Sequence, residues 1–177
     1  MKLAKTSPAL PVLRKKKNRK WLVWTVAVGT LALTAAVVWG VWLSGRVNLS
    51  PEEQELVDLI NQQRRNNLIA EVKPNARLCE VARRHSQWMC DQQKREVPTV
   101  PVIEEYLTAV SYPYQGWGVL VDRVENRGPK WIMVSWLGKP NLGGEVKSFH
   151  HEEVGVCMLP DPSDPSVSYV TVVFGKR

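Results

Sequence analysis

The residues with the greatest capacity for chemistry in this sequence are three histidines and three cysteines. Two of the histidines belong to the densest cluster of ligand-type side chains, His150-His151-Glu152-Glu153. A transition-metal site needs about three or four converging nitrogen, sulfur or oxygen ligands. Because neighbouring residues of an extended chain point to opposite faces, His150 and His151 cannot easily bind one ion. We therefore expect neither a metal site nor another cofactor.

The third histidine, His85, lies on the apolar face of a helix predicted over residues 74–90. Two interpretations stay open for it: a hydrogen-bonded core histidine, or a candidate cavity residue that faces a ligand. A hydrolase would pair His85 with Glu152 or Glu153 in an open pocket. The sequence contains no nucleophile elbow and no papain-like signature, so we assign no catalytic residue. At 100° per residue the face of His85 also carries Leu78, Val81, Ala82, Trp88 and Met89.

The cysteines leave the disulfide pattern open. Cys79 and Cys90 are eleven residues apart on the same predicted helix. That spacing is about 16 Å at 1.5 Å per residue, whereas a disulfide needs Cα atoms within about 7 Å. Either thiol could bridge to Cys157 in an oxidising compartment, or all three could be buried and reduced.

The helices and strands predicted from the sequence position these residues and indicate a domain of mixed α/β class over residues 51–177. Residues 50–53 (SPEE) form a capping box with proline at the first helical position, so a helix should begin there. Its polar face should leave Gln62, Arg64 and Arg65 in solvent. Helices first, then a strand, a helix and two strands give an α-β-α sandwich. After residue 90 we expect a short helix at 102–109, a strand at 116–121, a helix at 128–137, a loop at 141–148, and strands at 154–159 and 169–174.

The sequence pattern of the N-terminal quarter predicts a membrane anchor. Residues 21–43 contain no charged side chain, and as a helix they would extend about 34 Å, against about 30 Å of bilayer hydrocarbon. Residues 1–20 form a tail with eight basic and no acidic residues, whereas the short linker 44–50 carries only Arg46. The positive-inside rule then places the N-terminus in the cytoplasm and the domain in the periplasm or outside the cell. We predict a single-pass protein of the cytoplasmic membrane.

Small residues recur at helical spacing along this predicted span. Such a stripe lets transmembrane helices approach closely, so it is a candidate docking face for other membrane-protein subunits. The alternative is ordinary membrane composition. The stripe consists of Thr25, Gly29, Ala32, Ala36 and Gly40.

The charge balance argues against nucleic acid as a partner. The whole chain has a formal charge of +7, but eight of its 24 basic residues precede Gly45. Sixteen basic residues then face all seventeen acidic residues in the remainder, which has a formal charge of −1. The electrostatic attraction on which binding to phosphate backbones depends is therefore missing from the exported domain.

Four motifs in order resemble the CAP superfamily (cysteine-rich secretory proteins, antigen 5 and pathogenesis-related 1), especially its bacterial SCP-like members. Residues 56–64 (LVDLINQQR) look like the family's "lLdLINxxR" helix, and residues 78–89 look like its "LxxxAxxHSxxM" helix. Residues 154–156 (VGV) and 169–175 (YVTVVFG) are similar to its closing strands. Trp136 lies nineteen residues before Gly155, as the family's helix tryptophan often does. The resemblance covers about residues 52–175 and implies a CAP-like fold.

The departures from the family pattern concern its metal cavity. The histidine of the family's "SPGHR" motif would fall at Leu142, and residues 91–115 contain no histidine. The family's "GENIA" segment reads GWGVL at residues 116–120 and lacks the glutamate. The resemblance therefore implies a cavity without the two-histidine, two-acid metal set.

These observations predict a membrane-anchored, catalytically silent CAP-like module that serves binding or structure on the outer face of the cytoplasmic membrane. Its partners would be the membrane and other membrane-protein subunits, as for an accessory subunit of a larger complex. Two alternatives stay open: a divergent hydrolase, and a carrier of an apolar small ligand in the CAP cavity.

Overall fold

The computed structural model describes residues 47–177 of the chain. The predicted span at 21–43 and its small-residue stripe lie outside the described residues. Within residues 47–177, no helix combines the length and the apolarity needed to cross a bilayer. This part of the chain forms helices α1 Pro51–Asn66, α2 Ala76–Asp91, α3 Val100–Ala109, α4 Pro129–Leu137 and α5 Pro140–Val146, and strands β1 Lys73–Pro74, β2 Gly116–Glu125, β3 Glu153–Pro160 and β4 Val167–Lys176.

The four strands form one mixed sheet in the order β1-β3-β4-β2. Strand β4 pairs antiparallel with β3 on one side and with β2 on the other, and the short β1 runs parallel to β3. Opposite Val172 of β4 stand Val156 of β3 and Leu120 of β2. The predicted hairpin between the last two strands is present, and the turn is closed by Asp161, whose carboxylate accepts from the backbone and hydroxyl of Ser163.

Helices cover both faces of this sheet, which confirms the predicted α-β-α sandwich. Because side chains alternate along a strand, Val170, Val172 and Phe174 of β4 face α1, α4 and α5. Val173, between them, faces α2 and α3. The layer between the sheet and helices α1, α4 and α5 includes Trp136, which is fully buried.

The capping box at the start of α1 is present and also ties the helix to the sheet. The Ser50 hydroxyl accepts from the Glu53 backbone, and Glu53 Oε2 accepts from the Ser50 backbone at 2.8 Å. The other carboxylate oxygen of Glu53 accepts from the Met158 backbone of β3 at 3.1 Å. At the other end of β3, Glu153 accepts two hydrogen bonds from Arg177.

Helix α2 lies directly against β3 because residue 155 is glycine. A Cβ at Gly155 would overlap the backbone of Leu78 and Cys79. The short "VGV" motif therefore sets the distance between this helix and the sheet.

The structure corrects several sequence-based boundaries. The expected loop at 141–148 contains helix α5, which begins at Pro140 and buries Val146. Glycine lowers helix propensity, but Gly143 lets α5 pack closely on the backbone of Leu137.

Helix α2 begins at Ala76 rather than at residue 74, because the Asn75 side chain caps it and Pro74 belongs to β1. Strand β2 continues to Glu125. Helix α4 is apolar on nearly all sides, and it leaves Val134 exposed.

Candidate functional site

His85 lies in the packed face of α2 and is 1% exposed. Its Nε2 is 2.9 Å from the backbone oxygen of Glu96, so Nε2 carries the proton and donates. Nδ1 is then an acceptor, and it has no partner among the described residues. Burial lowers the pKa of His85 and outweighs the opposing effects of the Glu96 hydrogen bond and charge. The ring is therefore neutral at pH 7.

His85 also lines a half-open pocket of about 280 Å³ between α2, the segment 96–99 and α3. The His85 ring stacks almost parallel to the indole of Trp88, with centroids 5.6 Å apart and planes 13° apart. Lys94 pairs with the carboxylate of Glu96 at 2.6 Å. The structure thus combines features of both interpretations of His85. The other lining residues are Glu96, Val97, Pro98, Thr99, Val102, Glu105 and Tyr106.

The hydrolase hypothesis required a carboxylate beside His85, and the structure places both candidates elsewhere. Glu153 accepts from the Tyr112 hydroxyl at 2.8 Å and from Arg177. Burial raises the pKa of Glu153, but these hydrogen bonds outweigh it and the net direction is down. Glu152 pairs with Lys176 at 3.6 Å. Neither glutamate forms a dyad with His85.

The two adjacent histidines have different surroundings. His151 is buried, places its Nε2 3.0 Å from Glu145 Oε2, and stacks on Phe174. His150 is exposed and packs on the side chain of Phe149, itself largely exposed. Within residues 47–177, no three His, Cys, Asp or Glu side chains converge as a metal site would require.

The Glu145–His151 pair lies over Gly118 of β2, where a Cβ would overlap Glu145 Oε2. It is a pairing that sequence reasoning missed. Glu145 sits in the segment expected to be a loop, so its helical position beside residue 151 could not be inferred.

The prediction that Arg64 lies on the solvent-exposed face of α1 is wrong, because its side chain is completely buried. Its guanidinium donates to four backbone carbonyl oxygens at 2.7 to 3.1 Å. Burial lowers the pKa of Arg64. The Arg64 side chain therefore holds the segment that carries His151 in place. The four acceptors are the carbonyls of Ala70, Val146, Ser148 and His151.

Cys79, Cys90 and Cys157 are free and buried in the structure. Burial raises the pKa of Cys157 to about 11, so its reactive thiolate is scarce at neutral pH. The arrangement matches the alternative of three reduced thiols.

The chain matches no protein-family model and no curated protein. Its fold does match solved structures at low sequence identity. An outer surface protein of Borrelia burgdorferi is 14% identical with a TM-score of 0.58, over 75% of this chain and 98% of that one. A cysteine-rich secretory protein of Staphylococcus aureus is 15% identical with a TM-score of 0.62, over 75% of this chain and 40% of that one.

An extracellular SCP-domain protein of Bacillus anthracis is 17% identical with a TM-score of 0.59, over 75% of this chain and 45% of that one. The chain therefore spans less than half of these last two structures. The shared architecture places residues 47–177 in the class of CAP-superfamily folds, as the sequence motifs predicted.

Proposed function

We propose that this protein is a membrane-anchored CAP-fold binding module, without catalytic activity of its own, on the outer face of the cytoplasmic membrane. The observation that supports this most is the state of His85. Its donor nitrogen is occupied by a backbone carbonyl, its ring is neutral and stacks on an indole, and no carboxylate among residues 47–177 is hydrogen-bonded to its other nitrogen. Such an imidazole shapes a pocket, but it lacks the oriented carboxylate of a catalytic dyad.

The size of the pocket favours docking of a side chain over carriage of a lipid. Pockets for small molecules typically have about 300 to 1,000 Å³. The cavity at His85, with about 280 Å³, is at the lower limit of that range. Val97 at its edge is 56% exposed, which is typical of a surface that gains from being covered.

Anchoring follows from the uncharged run at 21–43 and the basic tail before it. In this proposal the span docks other membrane subunits through its small-residue stripe, and the exported domain contacts them through the His85 pocket.

Co-purification from native membranes in mild detergent tests the proposal. The tagged full-length chain should retain a defined set of partners. Gly29→Leu or Ala36→Leu should release them while the chain stays in the membrane, and Val97→Arg should release those bound through the pocket. Arg83→Gln in the domain and Val134→Arg on α4 are matched controls and should release nothing, because both positions are exposed and neither side chain lines the His85 pocket.

Retention of all partners by every variant would contradict a role in binding. An ester- or peptide-hydrolysing activity of the full-length chain that disappears in His85→Gln would contradict catalytic silence.

A further inference from the structure

We infer that the His85 pocket receives one cationic side chain, lysine or arginine, from a protein partner. This inference rests on the proposed function, because it names the chemistry by which the partner would be recognised. The pocket combines carboxylates, aromatic rings and apolar walls in one small space.

The charge of the pocket is negative. Its two charged side chains are the carboxylates of Glu96 and Glu105, since His85 is neutral. Lys94 already pairs with Glu96. Glu105 is exposed, and among residues 47–177 no hydrogen bond or ion pair engages its carboxylate. An incoming cation would therefore find one unpaired carboxylate at the pocket.

The aromatic residues favour the same ligand. Trp88 and Tyr106 both line the pocket, and Trp88 is 36% exposed. A cation over an aromatic face is attracted by the negative face of the ring, and indole is the strongest partner. The apolar walls at Val97, Pro98 and Val102 suit the methylene groups of a long cationic side chain.

One feature of the pocket would favour an anion, namely the N-terminus of α3. Its effect is reduced because Pro101 has no N–H and the N–H groups of Val102 and Ile103 both donate to the Thr99 carbonyl. The Thr99 side chain makes no capping hydrogen bond. The first turn of α3 thus has few free N–H donors for a negative ligand. The carboxylates of Glu96 and Glu105 therefore make the pocket favour a cation.

A side chain of a larger partner fits the surroundings better than a free small cation. The exposed apolar side chains of Val97 and Val100 belong to the segment that borders the pocket, and both are more than half exposed. A peptide segment would cover them, whereas an isolated cation would leave them in water.

NMR on the full-length chain in a maltoside detergent tests this inference. Phosphocholine detergents are avoided because their quaternary ammonium would compete. The chain has eight tryptophans, and the indole N–H signal of Trp88 is the one that disappears in Trp88→Phe. The probe is Nα-acetyl-lysine N-methylamide, and the control is Nα-acetyl-norleucine N-methylamide, whose four-carbon side chain lacks the terminal ammonium group.

We expect the lysine probe to shift the Trp88 signal with millimolar affinity, at least about fivefold tighter than the norleucine probe. The signal of Trp131 serves as an internal control, because it lies on α4 and already has the Arg127 guanidinium over its ring. Glu105→Gln should weaken lysine binding about fivefold. Glu104→Gln, on the same helix but outside the pocket lining, should change it less than twofold.

Equal binding of lysine and norleucine would overturn the inference, and so would tighter binding of the corresponding glutamate probe. Choline binding more tightly than the lysine probe would assign the pocket to a small free cation and overturn the side-chain assignment. An unmoved Trp88 signal at the solubility limit would exclude the site. None of these outcomes depends on partner co-purification, so this inference and the proposed function fail separately.

Discussion

Arg64 is a buried cation that binds the backbone of two separate segments, one at Ala70 and the other at residues 146–151. No ion pair with a carboxylate compensates its charge within residues 47–177, and four carbonyl oxygens take that role. An ammonium group has fewer donors and a different shape, so lysine cannot reproduce these contacts. The arrangement makes this residue important for the stability of the domain and for the placement of His151.

Replacing Arg64 with methionine should therefore destabilise the full-length chain by about 3 kcal/mol or more, because four buried acceptors lose their donors. Arg65→Met is the matched control, since Arg65 is exposed and pairs with the exposed carboxylate of Glu71. That change should cost less than about 1 kcal/mol. Chemical denaturation in mild detergent measures both. Equal effects of the two substitutions would show that the carbonyl contacts contribute little.

His85 should make the domain sensitive to mild acid. Its folded-state pKa lies below the unfolded value near 6.5, so the unfolded chain binds the proton more readily. The stabilising contribution is complete above pH 6.5 and is lost as the pH falls through the folded pKa. His85→Gln keeps a side-chain donor for the Glu96 carbonyl and removes the titration.

Melting temperatures between pH 7.5 and 5 should consequently fall less in His85→Gln than in the unmodified chain. His150→Gln serves as the control because His150 is exposed, and its profile should follow that of the unmodified chain. Parallel profiles for all three proteins would refute the role of His85 in this pH dependence.

At the scale of elements, the contact between α2 and β3 depends on Gly155. An alanine there has no room, since its Cβ would meet the backbone of Leu78 and Cys79. Gly155→Ala should destabilise the domain by about 1 to 3 kcal/mol or more, because backbone atoms cannot move aside as flexible side chains can.

Gly144→Ala is the matched control for this prediction. Gly144 is in helix α5 with no atom near the position of a Cβ, so alanine should stabilise by about 0.5 to 1 kcal/mol. Thermal unfolding of the two variants separates crowding from a general effect of adding a methyl group. A Gly155→Ala variant as stable as the unmodified chain would mean that α2 and β3 can separate at little cost.

The sequence predicts elements well where the signal is local. The capping box at Ser50 fixes the start of α1, and the alternating apolar residues of β4 identify a strand. Helix α5 was missed because its stability comes from packing of Gly143 and Val146 rather than from helix propensity.

The candidate site depends more strongly on contacts between distant segments. His85 and Trp88 could be placed on one face of a helix from their spacing. The sequence could not place the Glu96 carbonyl beside His85, nor α3 as a wall of the pocket. The reason is that a proline-interrupted segment does not indicate where the chain folds back. Arg64 shows the same limit, since its four carbonyl partners have no side-chain signature in the sequence.

At the scale of the whole chain, charge is distributed unevenly. Eight basic residues precede the predicted span and none of the seventeen acidic residues does. This asymmetry predicts that the chain from Ser50 onward lies outside the cytoplasm.

Protease added to intact spheroplasts should therefore degrade the domain, whereas a cytoplasmic marker protein should survive until lysis. Removal of the basic tail by replacing residues 14–20 with neutral ones should reduce the fraction of chains with this orientation. Protection of the domain in intact spheroplasts would show that the predicted topology is wrong and that the domain lies in the cytoplasm.

Strand β3 is hydrogen-bonded near one end to the beginning of the described domain and near the other end to its last residue. The carboxylate of Glu53, in the first turn of α1, accepts from the backbone N–H of Met158, and the Arg177 guanidinium donates to Glu153. Met158 is five positions after Glu153, about 17 Å along the strand. A pull on the chain at Ser50 is therefore transmitted to an interior strand before α1 can unwind. A reporter joined after Arg177 would leave from the opposite end of that strand, where it would not crowd the start of α1.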